Sequence, residues 1–328
     1  MEYDIIDELG NGMFGTVYKI KYKNNYFAMK IEHILDEDIT KNIRSQQWRE
    51  IDFSNNFGKK YKDQFIQLYY YEFDNSCKHI QKYPVNLKNF DKKNRDKIIK
   101  LSRSKTCIKK IYELVDGNVK DLLPNLNFKQ IYSFILQVSI IVDILQKARY
   151  IHGDFHSGNI GYIKTDKEFI KYKNLKIPTF GYIYKAIDYG SVMHPKYKLN
   201  KDDKKWYKDL YMRELISPLL TSLIDFTEYW DYVDNNNIKL NFKNDIKKLE
   251  KTDIYKLTGL QFPNIINKDY IFNITEILYP DEFQKIILGK NYTKTLNPKI
   301  YIDILDILYL FNVNFNPNKI IEYFILKL

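Results

Sequence analysis

Hydrophobic and polar residues alternate along the first thirty positions, and this alternation predicts three short strands. Residues 3–9 form the first. Residues 16–22 form the second, with Tyr18, Ile20 and Tyr22 apolar against Lys19 and Lys21, and residues 26–31 the third. Gly10-Asn11-Gly12-Met13-Phe14-Gly15 is a glycine-spaced turn between the first two, and Lys23-Asn24-Asn25 turns the chain again. The period then lengthens. Residues 36–57 read as a helix, with Asp36 or Asp38 near its start and Trp48, Ile51 and Phe53 among its apolar positions. Residues 55–107 are polar, lysine-rich and without clear periodicity, and read as strands and loops carrying an insertion. An apolar strand at 111–115 breaks at Asp116-Gly117-Asn118, a short helix at 119–123 stops at Pro124, and 128–147 is a long helix of continuous apolar character. Two strands, 160–163 and 182–187, flank a lysine-rich excursion. Beyond residue 200 the pattern is helical, through 206–226, 300–311 and 318–328.

Composition narrows the class. With 328 residues, 45% hydrophobic and 16% aromatic, the chain has enough apolar material for a globular core. The longest apolar stretches, 131–146 and 300–311, are interrupted by Asp143 and by Asp303 and Asp306, and are too short to span a bilayer. The first residues are acidic and resemble no secretory signal. Two cysteines, Cys77 and Cys107, are too few for a disulfide framework, so a reducing, cytoplasmic compartment is expected. The net charge of +11 comes almost wholly from dispersed lysines. It predicts a solvated basic surface that favours acidic protein partners, with no specific nucleic-acid or membrane binding.

The chemistry concentrates at Tyr150-Ile151-His152-Gly153-Asp154-Phe155-His156-Ser157-Gly158-Asn159-Ile160. A strand ending in a loop that presents one carboxylate and one carboxamide fits this composition; a Gly/Asp/Asn turn without chemistry is the plain alternative. Asp154 could accept a proton from an attacking hydroxyl, and Asn159 could hold a metal bound to phosphate. Further on, Asp188 ends an apolar strand and precedes Gly190, a placement suited to a divalent cation. Upstream, the glycine-spaced turn lies between strands and does not open a helix, which argues against a Rossmann dinucleotide site. Glycines there would let the backbone lie close over phosphates, and Lys30 on the third strand could reach the same anion. Glu50 is either a solvated helix charge or the partner of Lys30.

The order of these pieces resembles the protein kinase family. Gly10-x-Gly12-x-x-Gly15-x-Val17, Phe27-Ala28-Met29-Lys30, Glu50, His152-Gly153-Asp154 with Asn159, and Asp188-Tyr189-Gly190 all match its motifs in sequence order. The resemblance covers Leu9 to Gly190. It implies an α+β, bilobal kinase-like fold, with residues 1–115 as a small β-rich lobe and 116–328 as a larger, mainly helical one. It also implies ATP between the lobes. Leu9, Val17 and Ala28 match the roof of the adenine pocket, Tyr112 the gatekeeper, and Glu113 and Val115 the hinge. Lys30, positioned by Glu50, would neutralise phosphate charge, Asp188 and Asn159 would hold Mg2+ or Mn2+, and Asp154 would act as catalytic base. Three positions depart from the pattern. Gly153 replaces the usual Arg, His156 the usual Lys, and Gly161 the larger apolar residue of the pocket floor.

His-Gly-Asp-x-His-x-x-Asn is also similar to aminoglycoside and choline phosphotransferases, which generally lack the glycine loop. Together with Ile177-Pro178-Thr179-Phe180-Gly181-Tyr182, the whole looks most like Ser/Thr protein kinases of large cytoplasmic DNA viruses, which implies host cytoplasm or virion. A pseudokinase scaffold and a basic nucleic-acid-binding module are the remaining alternatives. The set Lys30, Asp154, Asn159 and Asp188 argues against the first, and only the charge favours the second.

Overall fold

The computed structural model describes residues 2–11, 15–40, 45–75, 77, 80, 92–122, 125–211 and 317–325. The first part is an antiparallel sheet on which one helix packs. The alternating stretches give β1 (Asp4–Asn11), β2 (Gly15–Tyr22) and β3 (Asn25–His33), followed by helix α1 (Gln46–Asn56) and β4 (Leu68–Asp74). After helix α2 (Lys92–Ser102), β5 (Cys107–Glu113) inserts between β3 and β4, so the sheet runs β1-β2-β3-β5-β4.

The two-residue period of a strand sorts the side chains of β3 and β5 onto opposite faces. Met29, Ile31, Cys107 and Ile111 join Tyr18 and Ile20 of β2 in one small core. On the other face Ile34 and Ile108 pack with Trp48 and Ile51 of α1. Lys30, Glu32, Lys110 and Tyr112 share that second face by alternation. Lys30 stands directly opposite Lys110 in the β3–β5 register.

The second part is built on α4. Short elements lead into it: β6 (Gly117–Asn118) and α3 (Val119–Leu122) precede α4 (Phe128–Lys147). Asn127 caps α4 by accepting from the Gln130 backbone, and the Gln130 side chain accepts from Asn127 in return. Ile135, Leu136, Val138, Ile140, Ile141, Val142 and Leu145 of this helix are all buried. Each fully buried side chain of this size contributes roughly 1.5–3 kcal/mol, so α4 anchors the main core. Strands β7 (Ile160–Lys164) and β10 (Tyr182–Ala186) pair antiparallel, with β6 beside β7, and the excursion between them forms a hairpin of β8 (Phe169–Tyr172) and β9 (Leu175–Pro178). Helix α5 (Lys201–Tyr211) follows, and α6 (Pro317–Ile325) returns to α4 with Ile320 and Ile321 buried. Among the described residues no helix is long and apolar enough to cross a membrane. The helices read at 300–311 and over most of 206–226 lie outside the described residues.

Three expectations need correction. The helix expected from residue 36 is only a 3₁₀ turn at Asp36–Asp38, and α1 begins at Gln46. Trp48 Nε1 donates to Asp38 O at 2.6 Å, so the 3₁₀ turn packs against the first turn of α1 and does not continue it. The insertion contains a helix, α2, hidden by its charged composition. Finally, Cys77 and Cys107 are joined in a disulfide, with Cα atoms 5.3 Å apart. Asp74 at the end of β4 pairs with Cys107 in register, which brings the chain beyond β4 back beside the start of β5.

Candidate functional site

The cleft between these two parts is lined by Gly10, Gly15, Val17, Lys30, Glu32, Gln46, Asp154, Asp188, Gly190 and Ser191. The sheet supplies one wall. Gly15 starts β2 where a Cβ would fall 2.0 Å from Ile31 O, so only glycine lets β2 approach β3 this closely. Gly12 lies outside the described residues. Ala28 is buried opposite Tyr112 in the register, whereas Leu9 on β1 is 48% exposed.

Lys30 is the electrostatic centre. Its Nζ lies 2.6 Å from Asp188 Oδ1, 2.9 Å from Glu32 Oε1 and 3.6 Å from Glu50 Oε1. Burial alone would lower the Lys30 pKa, but the charges of Asp188, Glu32 and Glu50 outweigh it and hold the ammonium well above its ordinary value. Burial likewise pushes the Asp188 carboxyl up, and Lys30 with Lys110 reverses this, leaving it far below the usual carboxylate range. Asp188 has φ 58°, and its side chain accepts from Gly190 N, which turns the chain just after β10 and points the carboxylate to the cleft.

Glu50 corrects the expectation in part. Its carboxylate is 1% exposed, so it is no solvated helix charge, but Lys30 is its most distant partner. Lys110 pairs with Glu50 Oε2, and Tyr112 Oη donates to Glu50 Oε1 at 2.6 Å. The nearer glutamate of Lys30 is Glu32, which also pairs with Lys110. Sequence reasoning missed Glu32 and Lys110, because only the β3–β5 register brings them together.

The loop 152–159 forms the other wall. His152 Nε2 donates to Ile187 O at 2.9 Å, and the buried ring stacks on Phe155 with centroids 5.0 Å apart. Burial holds the His152 imidazole pKa below its ordinary value, so the ring is neutral. Ile187 N donates to Asn159 O at 3.0 Å, which ties this loop to the end of β10. Asn159 Nδ2 donates to Asp154 O at 2.7 Å. The Asp154 side chain is 59% exposed, with His156 Nε2 at 3.8 Å from Oδ1. Because His156 Nδ1 accepts from Gly158 N, the neutral ring carries its proton on Nε2, facing Asp154.

Two of the three departures from the kinase pattern, Gly153 and Gly161, have physical reasons here. Gly153 has φ +85°, and a Cβ would sit 2.2 Å from Ser191 O, so an arginine does not fit this backbone. A Cβ on Gly161 would meet Val115 Cγ1 at 2.9 Å, so Val115 leaves little room for a larger side chain there. Glu113 turns its carboxylate to the buried Lys185 Nζ, at 2.7 and 2.8 Å.

The structure therefore brings Gly10, Gly15, Val17, Lys30, Asp154 and Asp188 to one cleft. It places Glu50 behind Lys30 and Asn159 beneath Asp154, while Ala28, Glu113 and Val115 sit in the strands and connector around them. Chemically, the described lining of the cleft offers one cation, Lys30, two carboxylates beside it, Glu32 and Asp188, and a third, Asp154, across from them. Compared with models of known protein families and with curated proteins, the chain matches none.

Proposed function

We propose that this chain is an ATP-dependent protein kinase with a bilobal kinase-like fold, transferring the γ-phosphoryl group to Ser or Thr hydroxyls of proteins. One observation carries the reading: Lys30, Asp154 and Asp188, far apart in sequence, converge with Gly10 and Gly15 on one cleft. Asp188 and Asn159 offer oxygen donors, the set that suits Mg2+ or Mn2+. Such a cation, when bound, would neutralise phosphate charge. Lys30 would add a second positive charge against the phosphates. Asp154 would take the acceptor hydroxyl's proton as its oxygen bonds to phosphorus and the bond to the ADP leaving group breaks. Asn159, bonded to Asp154 O, would keep that carboxylate in place.

A small-molecule phosphotransferase is the second reading, favoured by Gly153 and by His156 standing beside Asp154. Labelled ATP with magnesium, offered with casein-like proteins or with a panel of small alcohols, separates the two. Label on protein Ser or Thr supports the first reading and label on the alcohols the second. No transfer to either, with intact protein, overturns both.

A further inference from the structure

Two lysines stand directly opposite each other on neighbouring strands, Lys30 on β3 and Lys110 on β5. Like charges at opposed positions destabilise a sheet, and here both point to the face that α1 covers. The Lys110 side chain is 0% exposed. A buried ammonium persists only when paired on several sides. Lys110 contacts Glu32 and Glu50, and Glu32 also reaches Lys30, so the two carboxylates bridge the two lysines. The lysines differ in their surroundings. Lys30 is 14% exposed at the cleft and touches Asp188, whereas Lys110 lies wholly behind it.

We propose that Lys110 is a positioning residue that serves as the standing counter-ion of Glu32 and Glu50, so that Lys30 can turn to phosphate without leaving either glutamate uncompensated. The inference rests on the nucleotide-binding reading of the cleft. Two cations face three carboxylates, Glu32, Glu50 and Asp188. Without Lys110, Lys30 alone must hold all three, and phosphate competes with them for it. Tyr112 Oη, bonded to Glu50, donates a hydrogen bond but carries no charge to replace the ammonium.

This predicts a specific pattern of rescue. In Lys110→Met the dissociation constant for ATP with magnesium, measured by calorimetry, should rise roughly tenfold or more. Removing the surplus carboxylate in Lys110→Met/Glu32→Leu should bring it back to within about threefold of wild type. A role in packing alone would lower thermal stability in both variants and give no rescue of affinity. Where Lys110→Met fails to fold, the double variant, which keeps the wild-type net charge, is compared directly with wild type. Near wild-type affinity in Lys110→Met, or a folded double variant that stays weak, overturns the inference and leaves the nucleotide reading standing. A wild-type chain that binds no ATP overturns both.

Discussion

The Lys110 and Glu50 side chains behind the cleft are 0% and 1% exposed, and every charge there has a protein partner within the sheet or α1. Across the cleft the Asp154 side chain is 59% exposed and rests on one loop. A dry network fixes charge in space, because in low dielectric each ion pair is strong and each unpaired ion costly. An open carboxylate can meet a variable partner and exchange protons with solvent. The two walls therefore differ in kind, and on the proposed reading the dry one would hold a fixed anion while the open one would receive an acceptor.

Removing the charges that meet at Lys30 should have the largest effect. Lys30→Ala and Asp188→Asn should each lower phosphoryl transfer by about a thousandfold, since the first removes the positive charge proposed to face the phosphate and the second weakens the hold on the proposed metal ion. Steady-state rates near wild type in both would remove the kinase proposal. Asp154→Asn should lower turnover about a hundredfold while calorimetry shows ATP affinity within a few-fold of wild type. Equal losses in affinity and turnover would place Asp154 on the nucleotide side and erase the contrast between the walls.

Gly153→Ala should destabilise the fold by about 1–3 kcal/mol, from its positive φ and the Ser191 carbonyl it would strike. An unchanged denaturant midpoint would contradict this. In the proposed kinase, the arginine usual at this position would clamp a phosphorylated segment, and Gly153 has no side chain to do so. Residues 191–207 have other ties: Lys196 reaches Asp52 of α1 at 2.7 Å, Tyr197 Oη donates to Asp52 at 3.0 Å, and Arg49 lies 3.6 Å from Asp203. Phosphatase-treated protein made in bacteria should accordingly be active without a lag. Activity appearing only after phosphate enters residues 191–207 would refute the point.

Acid should weaken the fold gradually. The His152 pKa is lowered by burial, and those of Glu32 and Asp188 by their lysines, so all three bind protons less readily folded than unfolded. Stability is then fully present above the unfolded pKa values. It should start to fall below pH about 6.5 through His152, and fall further below about 4 as the unfolded carboxylates take up protons. Urea midpoints that stay constant from pH 7 to 5 would contradict the His152 share.

The sequence carried the elements whose pattern is local. The alternation in β2 and the long, mostly apolar stretch of α4 placed both, because burial there follows a period visible in a short window. Helix α2 escaped, since Ile98, Ile99 and Leu101 are a thin apolar stripe among lysines. The glycine turn, Asp154 and Asp188 were legible because each sits at a turn or strand end of distinctive composition, and Lys30, in mid-strand, by its place in their order. Glu32 and Lys110 were not. Each is a charge within a strand that carries others, Lys30 beside Glu32 on β3 and Lys109 before Lys110 on β5, and only pairing at long range gives it its partner.

The Cys77–Cys107 bond spans 30 positions and encloses the whole insertion with α2. A single proteolytic cut inside that loop would sever the backbone without separating the molecule. The nicked chain would migrate as one species on a denaturing gel until reductant is added, and then as two. The loop is therefore a place where the chain could be opened, or a sequence grafted in, with both flanking strands still covalently joined.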